Sequence, residues 1–216
     1  MKHTNPEQTI FFTMAVAGGF FGGYTIGRCG VLASAETVNL ISLTKALLEL
    51  DTAQILIRLG AALFFSLAIG LSTILLLRCA DRLPLYAIAA DIVGIVLTGF
   101  LPFQNEFYVL YPIFFVTGFQ WNAFSGVNDY ASSCVFSTNN LRQAVIGLTL
   151  YLRSGDREAG ERAKFFGKSL LFFHIGVVFA FLSMRLFAEK SIFLCLIPVL
   201  AALGMQLRLR SKRGLD

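Results

Sequence analysis

Charge is scarce in this chain. Asp, Glu, Lys and Arg make up only 14% of its 216 residues, against about 25% in an average soluble domain. That shortage excludes an ordinary water-facing surface. Histidine is scarcer still, with only His3 and His174, and two residues that far apart cannot assemble a metal site by spacing. HExxH, GxSxG and Walker sequences are all missing, so no catalytic motif is legible and neither an enzyme nor a cofactor is expected. The four cysteines, Cys29, Cys79, Cys134 and Cys195, are widely separated and form no CxxC pair. They read as small apolar residues rather than as ligands or a disulfide framework. The net charge of +5 raises nucleic acid as a partner, but the basic residues lack an interleaved aromatic surface and that partner is rejected.

Apolar residues fill the space that charge leaves. They make up 56% of the chain, and the mean hydropathy is +0.70. Six long apolar segments stand out: Ile10 to Gly27, Ile55 to Leu77, Leu85 to Leu101, Phe107 to Phe124, Phe165 to Phe187 and Ile192 to Leu207. A helix needs about 20 residues to cross a hydrocarbon core of ~30 Å, so these predict six membrane helices with the lipid bilayer as the main partner. The first segment carries Ala15-Val16-Ala17, which is similar to a signal-peptidase site. The apolar run continues through it to Ile26, so a membrane helix is the better reading. Pro84, Pro102 and Pro112 fall near predicted helix ends, where a missing N–H does least harm, while Pro198 inside the sixth segment predicts a kink.

Two shorter, more polar segments break this pattern: Ser34 to Leu50 and Cys134 to Leu152. If both spanned, the count would be eight. Six crossings with cytoplasmic termini place 13 of the 18 basic residues on one side, whereas eight would move Arg78 and Arg82 outside. Charge placement therefore favours re-entrant or interfacial helices. Laid over each other, the two segments match Thr37, Asn39, Leu40 and Leu47 to Thr138, Asn140, Leu141 and Leu148. Each half of the chain also runs long helix, short T-x-N-L segment, long helix, long helix. The expected fold is thus an all-α polytopic membrane protein of two inverted three-helix repeats, residues 1–103 and 104–216, each with one short polar helix.

Ala17-Gly18-Gly19, Tyr24-Thr25 and Gly30-Val31-Leu32-Ala33 lead to Thr37-Val38-Asn39-Leu40 in the first half. Gln120-Trp121-Asn122-Ala123-Phe124, Tyr130-Ala131-Ser132-Ser133 and Thr138-Asn139-Asn140-Leu141-Arg142 follow in the second. Over most of its length the chain resembles the YoaK family of uncharacterised bacterial multi-pass membrane proteins. That resemblance implies a place in the cytoplasmic (inner) membrane and names no substrate. The chain departs from the family's T-G-N pattern with Val38 and Asn139, and has Gly22 where an acidic residue is common. A shorter stretch, Arg78-Cys79-Ala80-Asp81-Arg82, is similar to the D-R loop of major-facilitator transporters, or is simply a tight charged turn.

Polar groups at membrane depth are costly, about 2.5 to 3.5 kcal/mol for a charge at mid-helix, so each needs a partner or an aqueous cavity. Short helices entering the bilayer expose unpaired N–H groups at their N-termini. In the inverted-repeat reading these bring Thr37, Asn39, Thr138, Asn140 and Arg142 around one cavity that suits an anion or a zwitterion, with both Asn amides aimed into it. The competing reading makes the same Thr and Asn side chains interhelical glue. Glu36 opposes an anion unless it pairs with Arg142 or binds a cation. Asp91, in the third apolar segment, has no neutralising neighbour in sequence, and His174 is its natural partner for proton coupling. The overlapping GxxxG patterns at Gly18 to Gly23 predict close helix packing, and Trp121 and Tyr111 predict membrane interfaces. Two functions remain open: a small permease for an anionic or zwitterionic solute, with a homodimer as candidate assembly, or a non-transporting membrane scaffold.

Overall fold

The computed structural model describes residues 5–101, 107–127 and 130–214. Its elements run α1 (Pro6–Cys29), α2 (Glu36–Leu48), α3 (Thr52–Cys79), α4 (Leu83–Phe100), α5 (Tyr111–Ala123), a two-residue strand pair β1 (Gly126–Val127) and β2 (Tyr130–Ala131), α6 (Thr138–Ser154), α7 (Arg157–Phe187) and α8 (Leu196–Lys212). Short 3-10 turns precede α4 and α5, and a longer one, Ala188–Cys195, joins α7 to α8. The fold is all-α.

Helix boundaries follow local chemistry. Asn5, Asp51 and Asp156 cap α1, α3 and α7, each side chain accepting a backbone N–H of the first turn. Pro6, Pro84 and Pro112 occupy the first two helical positions of α1, α4 and α5, where φ is already helical and no N–H is needed. Pro198, expected inside the sixth helix, is instead the third residue of α8, in its first turn, because the residues from Ala188 to Cys195 form a 3-10 segment and α8 begins only at Leu196. Pro102, and the proposed division between residues 103 and 104, lie outside the described residues.

Among the described residues three helical stretches are long and apolar enough to cross a membrane: Pro6–Cys29, Thr52–Phe100 and Arg157–Lys212. Their burial differs sharply. In the first, 78% of the apolar stretch is buried, against 22% in each of the others, so α1 is the central helix, packed against α7, α8 and, more lightly, α5, while α3 and α4 pack on α5. The outer helices show apolar stripes outward, Leu56, Leu59, Leu63 and Leu67 on α3 and Leu171, Ile175, Val178 and Leu182 on α7. Such stripes suit lipid rather than water. The fourth predicted helix is shorter than expected. Its residues form a 3-10 turn and then α5, 13 residues long, which extends only about 20 Å.

Packing pairs α1 with α7, α3 with α5, α2 with α3 and α6 with α7. The α1–α7 pair uses the predicted glycine pattern: a Cβ on Gly19 would overlap the Phe173 carbonyl, and one on Gly176 of α7 would overlap the Val16 carbonyl. Only glycine allows that approach, and in lipid such close van der Waals contact is the principal adhesive. Arg210, nearly buried, reaches the Asp81 carboxylate at 3.3 Å and its carbonyl at 2.8 Å. The short charged turn after α3 is thus tied to α8, next to a second ion pair between Arg213 and Glu7. At the opposite end Arg28 pairs with Glu189 at 3.0 Å.

Candidate functional site

The loops before α2 and α6 determine where those helices start. Ala33 is held between two long helices: its N–H donates to Thr25 Oγ1 on α1 (3.3 Å), and its carbonyl lies 3.0 Å from Thr117 Oγ1 on α5. Cys134 is held by the same two helices. Its carbonyl rests against Gly18 of α1, and its sulfur accepts from Gln120 Nε2 of α5 at 3.3 Å. As a result the N-termini of α2 and α6 open onto one cavity of about 640 Å³ beside α1 and α7.

Both helices enter without a side-chain cap. Ala35 has nothing to offer α2, and Ser137 makes no capping bond to α6. Their first N–H groups have no intrahelical acceptor and give the cavity wall positive potential. Ser34, Glu36, Thr37, Ser137, Thr138 and His174 supply the polar lining. Ser34 is 1% exposed and its hydroxyl has no partner among the described residues. The aromatic wall is Phe65, Trp121, Phe136 and Phe173, with Trp121 edge-on to Phe136 at 5.1 Å. Trp121, expected at a membrane interface, also lines the cavity, and Tyr111, read in the same way, donates from its hydroxyl to the Ile57 carbonyl at 3.0 Å.

Glu36 is the acidic group of the site. Its Oε2 accepts from Asn39 Nδ2 at 2.7 Å, while Oε1 is buried and without a partner among the described residues. Burial raises its pKa and the Asn39 bond partly offsets the rise. His174 donates from Nδ1 to the Leu170 carbonyl at 2.8 Å, since a carbonyl can only accept. Its Nε2 is then an acceptor in the neutral ring.

The structure brings Thr37, Thr138, Glu36 and His174 to one cavity and leaves the other candidates elsewhere. Asn39 and Asn140 are buried but do not line it, so the expectation that both amides point into a shared site is corrected. Asn39 also donates to the Arg58 carbonyl on α3 (3.0 Å). Asn140 stitches its own loop, accepting from Ser132 Oγ (2.9 Å) and donating to the Ser133 carbonyl (2.6 Å). Arg142 is exposed and outside the lining, and no ion pair joins it to Glu36 among the described residues. Asp91 is fully buried on α4, with both carboxylate oxygens unpartnered among the described residues. The Cys134 and Cys195 thiols lie within its electrostatic reach, whereas His174 lines the cavity and bonds to its own helix.

Several lining residues escaped sequence reasoning. Ser34 and Ser137 precede the T-x-N motifs at Thr37 and Thr138, and a serine just ahead of each motif was a usable signal. The aromatic wall was not legible, because 22 Phe residues offer no contrast.

A family model described as a protein of unknown function (DUF1275) matches residues 10–205. No curated protein and no solved structure matches the chain.

Proposed function

The chain belongs to the DUF1275 family, and we propose that it is a small permease, a secondary transporter for an anionic or zwitterionic solute that binds between the N-termini of α2 and α6. The observation that carries this reading is the cavity itself: two uncapped helix starts and a buried, unpartnered serine hydroxyl meet there. Membrane proteins keep polar, irregular backbone at depth only where it faces protein or a cavity. The setting is a bacterial cytoplasmic membrane, six crossings, cytoplasmic termini and two inverted three-helix repeats, acting alone or as a homodimer. The pairing of α1 with α7 and of α3 with α5, and of each short helix with the long helix after it, supports the repeats. In this reading α2 and α6 each enter part-way, and Asp91 carries the coupling proton. No catalytic step is assigned.

The rival is a membrane scaffold, favoured by one observation: Asn39 and Asn140 are bonded inward, as interhelical and loop glue. Uptake by proteoliposomes of a panel of small radiolabelled amino acids, betaines and carboxylates separates the two. Accumulation that Thr138→Val and Ser34→Ala both reduce supports the permease. If no solute enters and both variants remain silent, the scaffold reading stands.

A further inference from the structure

The two helix entries differ in charge, although they share the T-x-N pattern. Glu36 is the first residue of α2 and places a carboxylate at that N-terminus, whereas α6 has no acidic residue in its first turn. Among the described residues the lining contains no Lys or Arg, and its base, His174, stands on α7 rather than at either helix start. The cavity therefore has a negative pole at Glu36 and a positive pole at the α6 backbone, with Ser137 and Thr138 beside it. A lone anion would meet Glu36 with no Lys or Arg of the described lining to neutralise it. A lone cation would leave the α6 N–H groups unmet in a largely apolar pocket, where unsatisfied polar groups are costly.

We infer that the cavity takes a small zwitterion, its ammonium group held by Glu36 and the aromatic wall, its carboxylate seated on the N-terminus of α6. This rests on reading the cavity as a solute site, and adds the charge class and the orientation. Glu36 has one carboxylate oxygen spent on Asn39 and the other buried and without a partner among the described residues, which is the arrangement an arriving cation completes. Phe65 and Phe136 flank Trp121, with ring centroids at 6.1 Å and 5.1 Å from it. A cation near aromatic faces gains electrostatic attraction, more so when desolvated. At the other pole a carboxylate accepts from backbone N–H groups that nothing else in the helix can satisfy. Ser34 is nine-tenths buried and more, with its hydroxyl unpartnered, and can serve either pole as donor or acceptor.

The test is binding to the purified full chain in nanodiscs, by calorimetry, of four probes. Trimethylglycine and glycine carry both charges. Choline lacks the carboxylate, and 3,3-dimethylbutyrate replaces the cationic nitrogen of trimethylglycine by carbon. At least one zwitterion is expected to bind, with both single-charge probes weaker by about tenfold or more; the preference between glycine and trimethylglycine tells a primary from a methylated ammonium. Glu36→Gln, which keeps an acceptor for Asn39, is expected to lower zwitterion affinity by a similar factor of about ten and to leave dimethylbutyrate unchanged or tighter. Ser137→Asp places a carboxylate at the α6 cap, where Asp is well tolerated. It is expected to abolish zwitterion binding while choline binding is kept or improved. Dimethylbutyrate or choline binding as tightly as the zwitterion overturns the inference, and so does the absence of binding by all four. Zwitterion binding without uptake refutes the permease and spares this inference, whereas uptake of another solute with no zwitterion binding does the reverse.

Discussion

The starts of α2 and α6 are the two regions whose comparison is most instructive. Both follow a loop gripped between α1 and α5, both lack a side-chain cap, and both open on the same cavity. Yet the matching asparagines do different work. Asn39 links its helix to α3 through the Arg58 carbonyl and orients Glu36, while Asn140 is spent on the loop from Ser132 to Phe136. A shared sequence pattern has fixed a shared placement and left the polar chemistry to diverge.

The strongest way to break the comparison is to displace α1 and α5, which hold the two loops, from the helices they pack against. Gly19→Leu and Gly118→Leu both insert a side chain against a carbonyl, of Phe173 and of Phe65 respectively. Overpacking of this kind costs typically ~1–3 kcal/mol, occasionally more. Gly19→Leu is expected to be the worse, because α1 is the central helix, and to abolish monodisperse protein on size exclusion; equal tolerance of both would contradict the packing described.

Next in size is the asparagine pair. Asn140→Ala removes a donor and an acceptor from a buried loop and strands their partners, which costs about 1–3 kcal/mol per unsatisfied group. It is expected to lower thermal stability clearly more than Asn39→Ala. Asn39→Ala is expected to act mainly on solute binding, through the loosened Glu36 carboxylate. Equal thermal shifts with unchanged binding in both variants would make the two sites interchangeable and refute the divergence.

Asp91 lies outside the comparison and sharpens it. If it carries the coupling proton, Asp91→Asn keeps solute exchange but loses pH-driven accumulation in proteoliposomes; an unchanged pH dependence removes it from the mechanism. The smallest expected effect belongs to Glu36. Its pKa is raised by burial, so on acidification its charge, and with it cation binding, is lost at a higher pH than for an exposed Glu. Glu36→Gln is expected to flatten that limb of a binding-against-pH curve, and a limb that persists in the variant assigns it to another group.

Much of this architecture was legible in the sequence because long apolar runs allow few alternatives. The segments Ile10 to Gly27, Ile55 to Leu77, Leu85 to Leu101 and Phe165 to Phe187 all fall within helices, give or take a residue, and Gly18, Gly19 and Gly23 of α1 do meet a neighbouring backbone. The misjudged place of Pro198, first turn rather than helix interior, has a plain cause: a proline in an apolar run looks the same whether it interrupts a helix or stands near its start. The candidate site was half legible. Motif position located Thr37 and Thr138, but the direction of an amide depends on which carbonyl lies within reach, and the Arg58 carbonyl is 19 residues from Asn39. Nothing local to the T-x-N motif encodes that.

The claim on which the rest depends is that α2 and α6 begin at a solute-filled cavity rather than at a dry seam. Ser137 lines that cavity and makes no capping bond, so a thiol placed there reports on it directly. Ser137→Cys in membrane vesicles, compared with the parent chain to subtract its four native cysteines, is treated with a small charged methanethiosulfonate with and without bound trimethylglycine. Added labelling is expected from one side of the membrane, and the zwitterion is expected to suppress it. No added labelling from either side, in a variant that folds and inserts like the parent, would contradict it.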